Sequence, residues 1–223
     1  MTQHERSIPL WEKSTLKNAA GNTLRPGGLA LTDRALSLAN IPRYSRVLDV
    51  GCGLGATVQH LNESHSFEAY GIDCSTRQLE KAPSGLALSQ ADATNLPYAN
   101  RSFDTLICEC VLSLLPDIYL ALAEFKRVLT PSGTLIITDI YQRGQTSSSC
   151  ISDSCATNPI NVRQLNNTLN ELGFHTTVQE DHSKMLVELA ARLIFTGEKS
   201  IIPKESCCEK PGYMLLIAKL NEL

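Results

Sequence analysis

Three carboxylates and a set of glycines in the first half of this 223-residue chain have the types and spacing to hold a polar, nucleotide-like ligand. The run Val47-Leu48-Asp49-Val50-Gly51-Cys52-Gly53-Leu54-Gly55 passes from an apolar stretch, through one acid, into three alternating glycines. Glycine admits positive φ and removes the Cβ atoms that would keep a ligand off the main chain. A helix starting near Ala56 would aim its unpaired N–H groups at that turn, which suits a nucleotide-like or carboxylate-bearing ligand. Asp73 lies twenty positions after Gly53, where nucleotide-binding βαβ units place an acid against a ribose diol. Each hydrogen bond from such a diol to an ionised carboxylate contributes about 1.5–3 kcal/mol before its desolvation is counted. Asp92, after a third apolar run, is placed to accept from the exocyclic amine of an adenine.

The elements that must position these groups follow from periodicity. The apolar residues of 47–50 read as a buried strand, and the alternation of 67–72 as a second that ends at Asp73. Further strands are predicted over 86–90, 103–108, 134–140, 174–179 and 212–220. Helical spacing predicts helices over 29–39 and from Ala56 to Leu61, then from a Ser75 cap through Lys81, and after Asp117 with Ile118, Ala121, Leu122, Phe125 and Leu129 inward. Thr130-Pro131-Ser132-Gly133 reads as a turn into the fifth strand. Val162, Leu165, Leu169 and Leu172 form a stripe stopped by Gly173, and 184–195 reads as a strongly apolar helix. Wholly apolar strands alternating with helices describe an α/β fold, a mostly parallel sheet covered on both faces. In such a sheet the ligand sits beyond the carboxyl ends of the strands, which is where Asp49, Asp73 and Asp92 fall.

The chain is long enough for one sizeable domain. The expected organisation is a single domain over 1–223: an N-terminal helical segment (1–44), a cofactor-binding core (45–141), a Ser/Thr/Gln-rich loop or lid (142–160), and C-terminal helices and strands (161–223). A net charge of −3 offers no basic field for nucleic acid or an anionic membrane. Glu5, Arg6 and Lys13 with no long apolar run argue against a signal peptide, and no stretch is apolar enough to span a bilayer. Eight cysteines without a secretory signal read as reduced thiols, so a cytoplasmic location is expected. His4, His60, His65, His175 and His182 show no ligand spacing and are read as surface or satisfied residues, with no metal site expected.

The ordered set of an acid before the glycines, an acid after strand two, Ala91-Asp92-Ala93 after strand three and Phe103-Asp104 opening strand four resembles class I S-adenosylmethionine-dependent methyltransferases. The resemblance runs from about Arg25 to Tyr141, and the closing Gly-Tyr-Met-Leu-Leu-Ile-Ala-Lys is similar to that family's last strand. It implies a Rossmann-like, seven-stranded sheet whose last strand is antiparallel, with S-adenosylmethionine as cofactor. It also implies roles. Asp49, Gly51, Cys52, Gly53 and Gly55 would surround the methionine part and sulfonium, Asp73 would hold the ribose, and Cys74 would flank the adenine. Asp92 would meet the adenine amine and Ala93 its ring, Cys108 and Glu109 would lie under the methionyl chain, and Arg25 would contact the cofactor carboxylate. Glu109 and Tyr141, at the ends of strands four and five, are the candidate general bases, needed only if the acceptor carries a proton at working pH.

The expected activity is methyl transfer to a small-molecule acceptor, with no nucleic-acid or membrane partner; the sequence fixes neither acceptor nor oligomeric state. Glu109-Cys110-Val111-Leu112-Ser113-Leu114-Leu115-Pro116-Asp117 and the Thr-Asp-Ile-Tyr ending of strand five also look like arsenite methyltransferases, which implies an alternative metalloid acceptor bound by Cys110 with Cys150 or Cys155. Cys207 and Cys208 lie in a segment expected over the same side. Gly51, Gly53 and Ala56 satisfy a loose dinucleotide pattern, so a nicotinamide enzyme is one rival; the third glycine and Asp92 speak against it. A protein that binds the cofactor without turnover is another.

Overall fold

The computed structural model describes residues 8–143, 158–196 and 211–222. Two helices, α1 (Ser14–Ala20) and α2 (Gly28–Ala39), lead into a regular alternation. It runs β1 (Arg46–Val50), α3 (Ala56–Ser64), β2 (Glu68–Asp73), α4 (Thr76–Leu79), β3 (Leu88–Gln90), β4 (Phe103–Glu109), α5 (Ile118–Val128) and β5 (Leu129–Tyr141). The chain closes with α6 (Val162–Glu171), β6 (Phe174–Asp181), α7 (Ser183–Phe195) and β7 (Gly212–Leu220). All seven strands join one sheet in the order β3-β2-β1-β4-β5-β7-β6. Strands β1 to β5 pair in parallel, and β7 runs antiparallel to both β5 and β6. This is the Rossmann-like seven-stranded arrangement expected from the sequence.

The strands are apolar throughout because both faces of the sheet are covered. Leu48, Val50, Leu106, Cys108, Leu135 and Ile137 point to one face and pack with Leu122 and Phe125 of α5 and with Leu165 and Leu169 of α6. Their neighbours Val47, Ile107 and Ile136 point to the other, against Leu31 and Ala35 of α2 and Val58 and Leu61 of α3. Alternate residues of each strand therefore serve opposite layers.

The starts of α5 and α6 are fixed by side-chain caps that satisfy otherwise orphaned N–H groups. Asp117 Oδ1 accepts from the Leu120 N–H at 3.2 Å, and Asn161 Oδ1 from the Gln164 N–H at 3.1 Å. One element falls inside the expected N-terminal helical segment without having been placed there, and one differs from its expectation. Residues 14–20 form α1, whose Leu16 and Ala19 pack with Leu10 on Leu189 and Leu193 of α7. The turn expected at 130–133 is an outward bulge within β5: Leu129 pairs with Phe103, and the next partner of β4 is Thr134, opposite Thr105. Most of the expected lid, residues 144–157, and with it Cys150 and Cys155, lies outside the described residues, as do Cys207 and Cys208.

Strand order reverses at β1, which has β2 on one side and β4 on the other. The crevice beyond the carboxyl ends of these strands is the topological switch point of the sheet.

Candidate active site

The loop from β1 to α3 occupies that crevice. Gly51, Gly53 and Gly55 all take positive φ, at +77°, +52° and +74°. The N–H groups of Gly51 and Cys52 both donate to the carbonyl of Ile72, at 2.8 and 2.9 Å, which ties the turn to β2. Asp73, half-buried at the end of β2, accepts from the Gly53 N–H and the Ser75 N–H, each at 2.8 Å. Its carboxylate thus latches the turn while keeping lone pairs free for further donors. A Cβ on Gly51 would lie 2.2 Å from Val111 Cγ2, so glycine there is a packing requirement. At Gly53 a Cβ would meet nothing nearer than Leu24 Cδ1, at 3.7 Å. Bare backbone at that point therefore lines open space rather than packed protein.

Behind the turn lies a buried polar cluster assembled from four segments. Arg25, in the loop before α2, is 5% exposed and its Nη2 is 2.5 Å from Oε2 of Glu109, at the end of β4 and 7% exposed. The same Nη2 donates to Thr32 Oγ1 of α2 at 2.5 Å and to Thr57 Oγ1 of α3 at 3.2 Å. Thr32 in turn donates to Glu109 Oε1 at 3.1 Å, and Thr57 to Oε2 at 3.4 Å. Arg25 Nε is buried with no hydrogen-bond partner among the described residues. Asp49, at the crevice end of β1 and 3% exposed, has its carboxyl pushed up to about 8, first by burial and then by the charge on Glu109, with Arg25 opposing.

One guanidinium faces two buried carboxyl groups, and it is committed to Glu109. Burial and the charge on Glu109 both raise the Asp49 carboxyl, so a ligand bringing positive charge would lower its pKa and gain a charge-assisted contact. A ligand that also carries a carboxylate is complementary in charge to the Arg25 guanidinium. The donor set therefore fits a zwitterionic, sulfonium-bearing amino acid such as the methionine end of S-adenosylmethionine.

The remaining sequence-predicted residues divide. Asp92 is exposed, accepts from the N–H and hydroxyl of Thr94 at 2.8 and 2.7 Å, and is held below the usual carboxylate range by those bonds. Ala93 lies against the core. Cys74 is exposed after β2, its thiol pushed up by partial burial and then by Asp73. Cys52 packs on Gly71, where a Cβ would lie 2.8 Å from its sulfur. Cys108 is fully buried in the core, and burial raises its thiol well above the ordinary range. Glu109 belongs to the cluster, as an ion-pair partner rather than a free carboxylate. Tyr141 is not brought to it: its ring lies over Gly212, and its side chain hydrogen-bonds Asp181 at the end of β6.

Sequence reasoning missed four participants. Thr32 and Thr57 bridge Arg25 to Glu109, and nothing in their sequence context marks them. Asp139 is a fully buried acid in an otherwise apolar strand, which is a legible signal. Its carboxylate accepts from Ser113 Oγ at 2.6 Å and from the Ser113 N–H at 3.0 Å, pinning the segment after β4 over the crevice. Tyr213 of β7 sets its hydroxyl 3.3 Å from Cys110 Sγ and 3.0 Å from Thr138 Oγ1.

A doubly wound sheet with a glycine turn and an acid at its switch point defines a Rossmann-like domain for a nucleotide-type ligand. Residues 48–137 match the family model for a methyltransferase domain. The chain is 34% identical over 130 residues to the methyltransferase GfsG of Streptomyces halstedii, an alignment covering 54% of this chain and 47% of that one. It superposes on phosphoethanolamine N-methyltransferase 2 of Haemonchus contortus, solved with S-adenosyl-L-methionine, with a TM-score of 0.78 at 18% identity, covering 94% of this chain and 56% of that one. The cyclase SpnF superposes with a TM-score of 0.76 at 24% identity, covering 87% and 81%. The chain spans about half the length of the curated relatives it matches. Over residues 48–137 the chain is therefore similar to methyltransferase domains, on a fold shared with a neighbour solved with S-adenosyl-L-methionine.

Proposed function

We propose that this chain transfers the methyl group of S-adenosylmethionine to a small-molecule acceptor. The observation that carries the reading is the glycine turn at the switch point, where Gly51, Gly53 and Gly55 take positive φ, Asp73 holds the turn, and bare backbone at Gly53 lines open space beside the buried Arg25–Glu109 pair. When bound, S-adenosylmethionine would supply a methyl carbon activated by positive sulfur and open to displacement by an acceptor lone pair. The work of the protein is alignment, for which proximity contributes about 7–11 kcal/mol. In this reading Asp49 faces the cationic end, Arg25 takes the carboxylate, and Gly53 lets backbone approach. Asp73 and Asp92 take the ribose and the adenine amine. Glu109 acts as a positioning residue, holding Arg25 and burdening Asp49 with its charge. Tyr141, which hydrogen-bonds Asp181 away from the cluster, has no base role in this reading.

Cys110, the residue that a metalloid acceptor would need, sets its Sγ 3.3 Å from the Tyr213 hydroxyl, and Cys150 and Cys155 lie outside the described residues. Among the described residues no helix is long and apolar enough to cross a membrane. The solved relative SpnF is named a cyclase, so methyl transfer has to be tested directly.

Calorimetry at pH 7 with S-adenosylmethionine, in buffers of different ionisation enthalpy, tests the site. The expected result is binding with net proton release, as Asp49 ionises against the bound cation. Absence of binding, with NAD bound instead, would overturn the assignment. Binding without conversion to S-adenosylhomocysteine across a panel of acceptors would replace the enzyme with a cofactor-binding protein.

A further inference from the structure

We infer that Asp33, His60 and His65 form a binding site for a borderline divalent transition metal, of the zinc, cobalt and nickel class, which clamps α2 to α3. Asp33 projects from the exposed side of α2, one residue after Thr32. His60 lies on α3 and His65 is its C-cap. Both histidines converge on a single carboxylate oxygen: His60 Nε2 is 2.6 Å and His65 Nε2 2.8 Å from Asp33 Oδ1. The two Nε2 atoms are 3.3 Å apart. The three potential ligand atoms all lie within 4.8 Å of one another, in a partly open position that a hydrated ion can reach.

The spacing suits coordination. At metal–nitrogen distances of about 2.0–2.1 Å, the edge joining two ligands of a tetrahedron is about 3.3 Å, and the two imidazoles already stand at that separation. The carboxylate has to withdraw by roughly half an ångström from each ring to complete the face, leaving a fourth position for water. Asp33, with its side chain 46% exposed, has room to do so. Two imidazoles and one carboxylate favour zinc, cobalt or nickel over magnesium or calcium, which prefer oxygen ligands alone.

The outer contacts orient the rings. Ser64 Oγ lies 3.3 Å from His60 Nδ1 and is able to accept its proton, which leaves the Nε2 lone pair for the metal. His65 stacks on Phe67 with the ring planes 8° apart, and meets His60 edge-on at 78°. Without a metal, Asp33 accepts from both rings and is held below the usual carboxylate range, although partial burial works in the opposite direction. The clamp would join the helices that present Thr32 and Thr57 to the Arg25–Glu109 pair, so its role is structural.

The test uses the full chain, kept reduced, titrated with Co2+ and followed by calorimetry and absorption. The expected result is one ion per chain with visible d–d bands and no thiolate charge-transfer band. His60→Gln and Asp33→Asn are each expected to weaken binding by at least about tenfold. Asp33 is an exposed position, so that variant keeps the test valid if a histidine variant fails to fold. No binding at millimolar Co2+, a signal carried only by a thiolate band, or unchanged affinity in Asp33→Asn would overturn the assignment.

Discussion

At the scale of single residues, the site is built from groups that are costly in isolation and tolerable only together. Arg25 and Glu109 are both almost wholly buried, and removing one partner of such a pair costs about 3–5 kcal/mol because the other charge is stranded. Arg25→Met is therefore expected to destabilise the protein by about that amount in urea unfolding, with Asp49 and Glu109 left facing each other. The double variant Arg25→Met/Glu109→Leu should recover most of the loss; no recovery would show that the pair is not the coupling unit. Asp73 works differently, since it is half-buried and already accepts two backbone N–H bonds. Asp73→Ala removes the turn latch and, in the proposed function, the ribose contact. S-adenosylhomocysteine affinity is expected to fall about tenfold or more, equivalent to about 1.4 kcal/mol. Calorimetry giving wild-type affinity would refute the role assigned to Asp73.

At the scale of elements, the turn and the segment after β4 are a matched pair. Gly51 has both positive φ and Val111 against it, so Gly51→Ala meets a clash with a side chain and a backbone penalty. The expected outcome is a lower melting temperature and weaker cofactor binding. Adding Val111→Ala should restore part of the stability, because the clash is relieved while the φ strain remains; full restoration would mean that φ +77° costs little here. These contacts mark where the sequence was legible and where it was not. The glycine turn, its flanking acids and the caps Ser75 and Asp117 act through neighbours within a few positions, so local pattern reveals them. Helix α1 has too few apolar residues to declare itself, and packs only because α7, far along the chain, covers it. The Arg25–Thr32–Thr57–Glu109 cluster and the Asp33–His60–His65 cluster likewise join residues from separate helices and strands. Their partners are set by the register of the sheet, which no local spacing encodes. His60 and His65 are five apart, a spacing that places them together only because α3 ends between them.

At the scale of the whole molecule, the buried acids give stability a particular dependence on pH. Burial pushes Asp49 up to about 8 and Asp139 to about 6, the latter despite bonds from Ser113 and the Ile140 N–H. In the unfolded chain both lose their protons near 3.8. Between about pH 4 and 8 the folded state therefore binds more protons than the unfolded one, and stability falls as pH rises, by up to about 1.4 kcal/mol per unit for each such group. On the acid side the sign is reversed: Glu180, lowered to about 2 chiefly by Arg34, and Asp33, Glu124 and Asp181 stabilise the fold above the ordinary carboxylate range and lose that contribution as pH drops through their folded values. These groups lie near the surface, so solvent screening makes their share small. Scanning calorimetry is accordingly expected to show a melting temperature that declines from about pH 5 towards pH 8. Asp49→Asn should remove the part of that decline above pH 6, where Asp139 has already ionised. Saturating S-adenosylmethionine should flatten the same limb in the wild type, since a cation beside Asp49 brings its pKa down and makes its ionisation favourable. A wild-type melting temperature that rises between pH 6 and 8, or a decline that persists in Asp49→Asn, would show that Asp49 is not the protonated acid at the centre of this site.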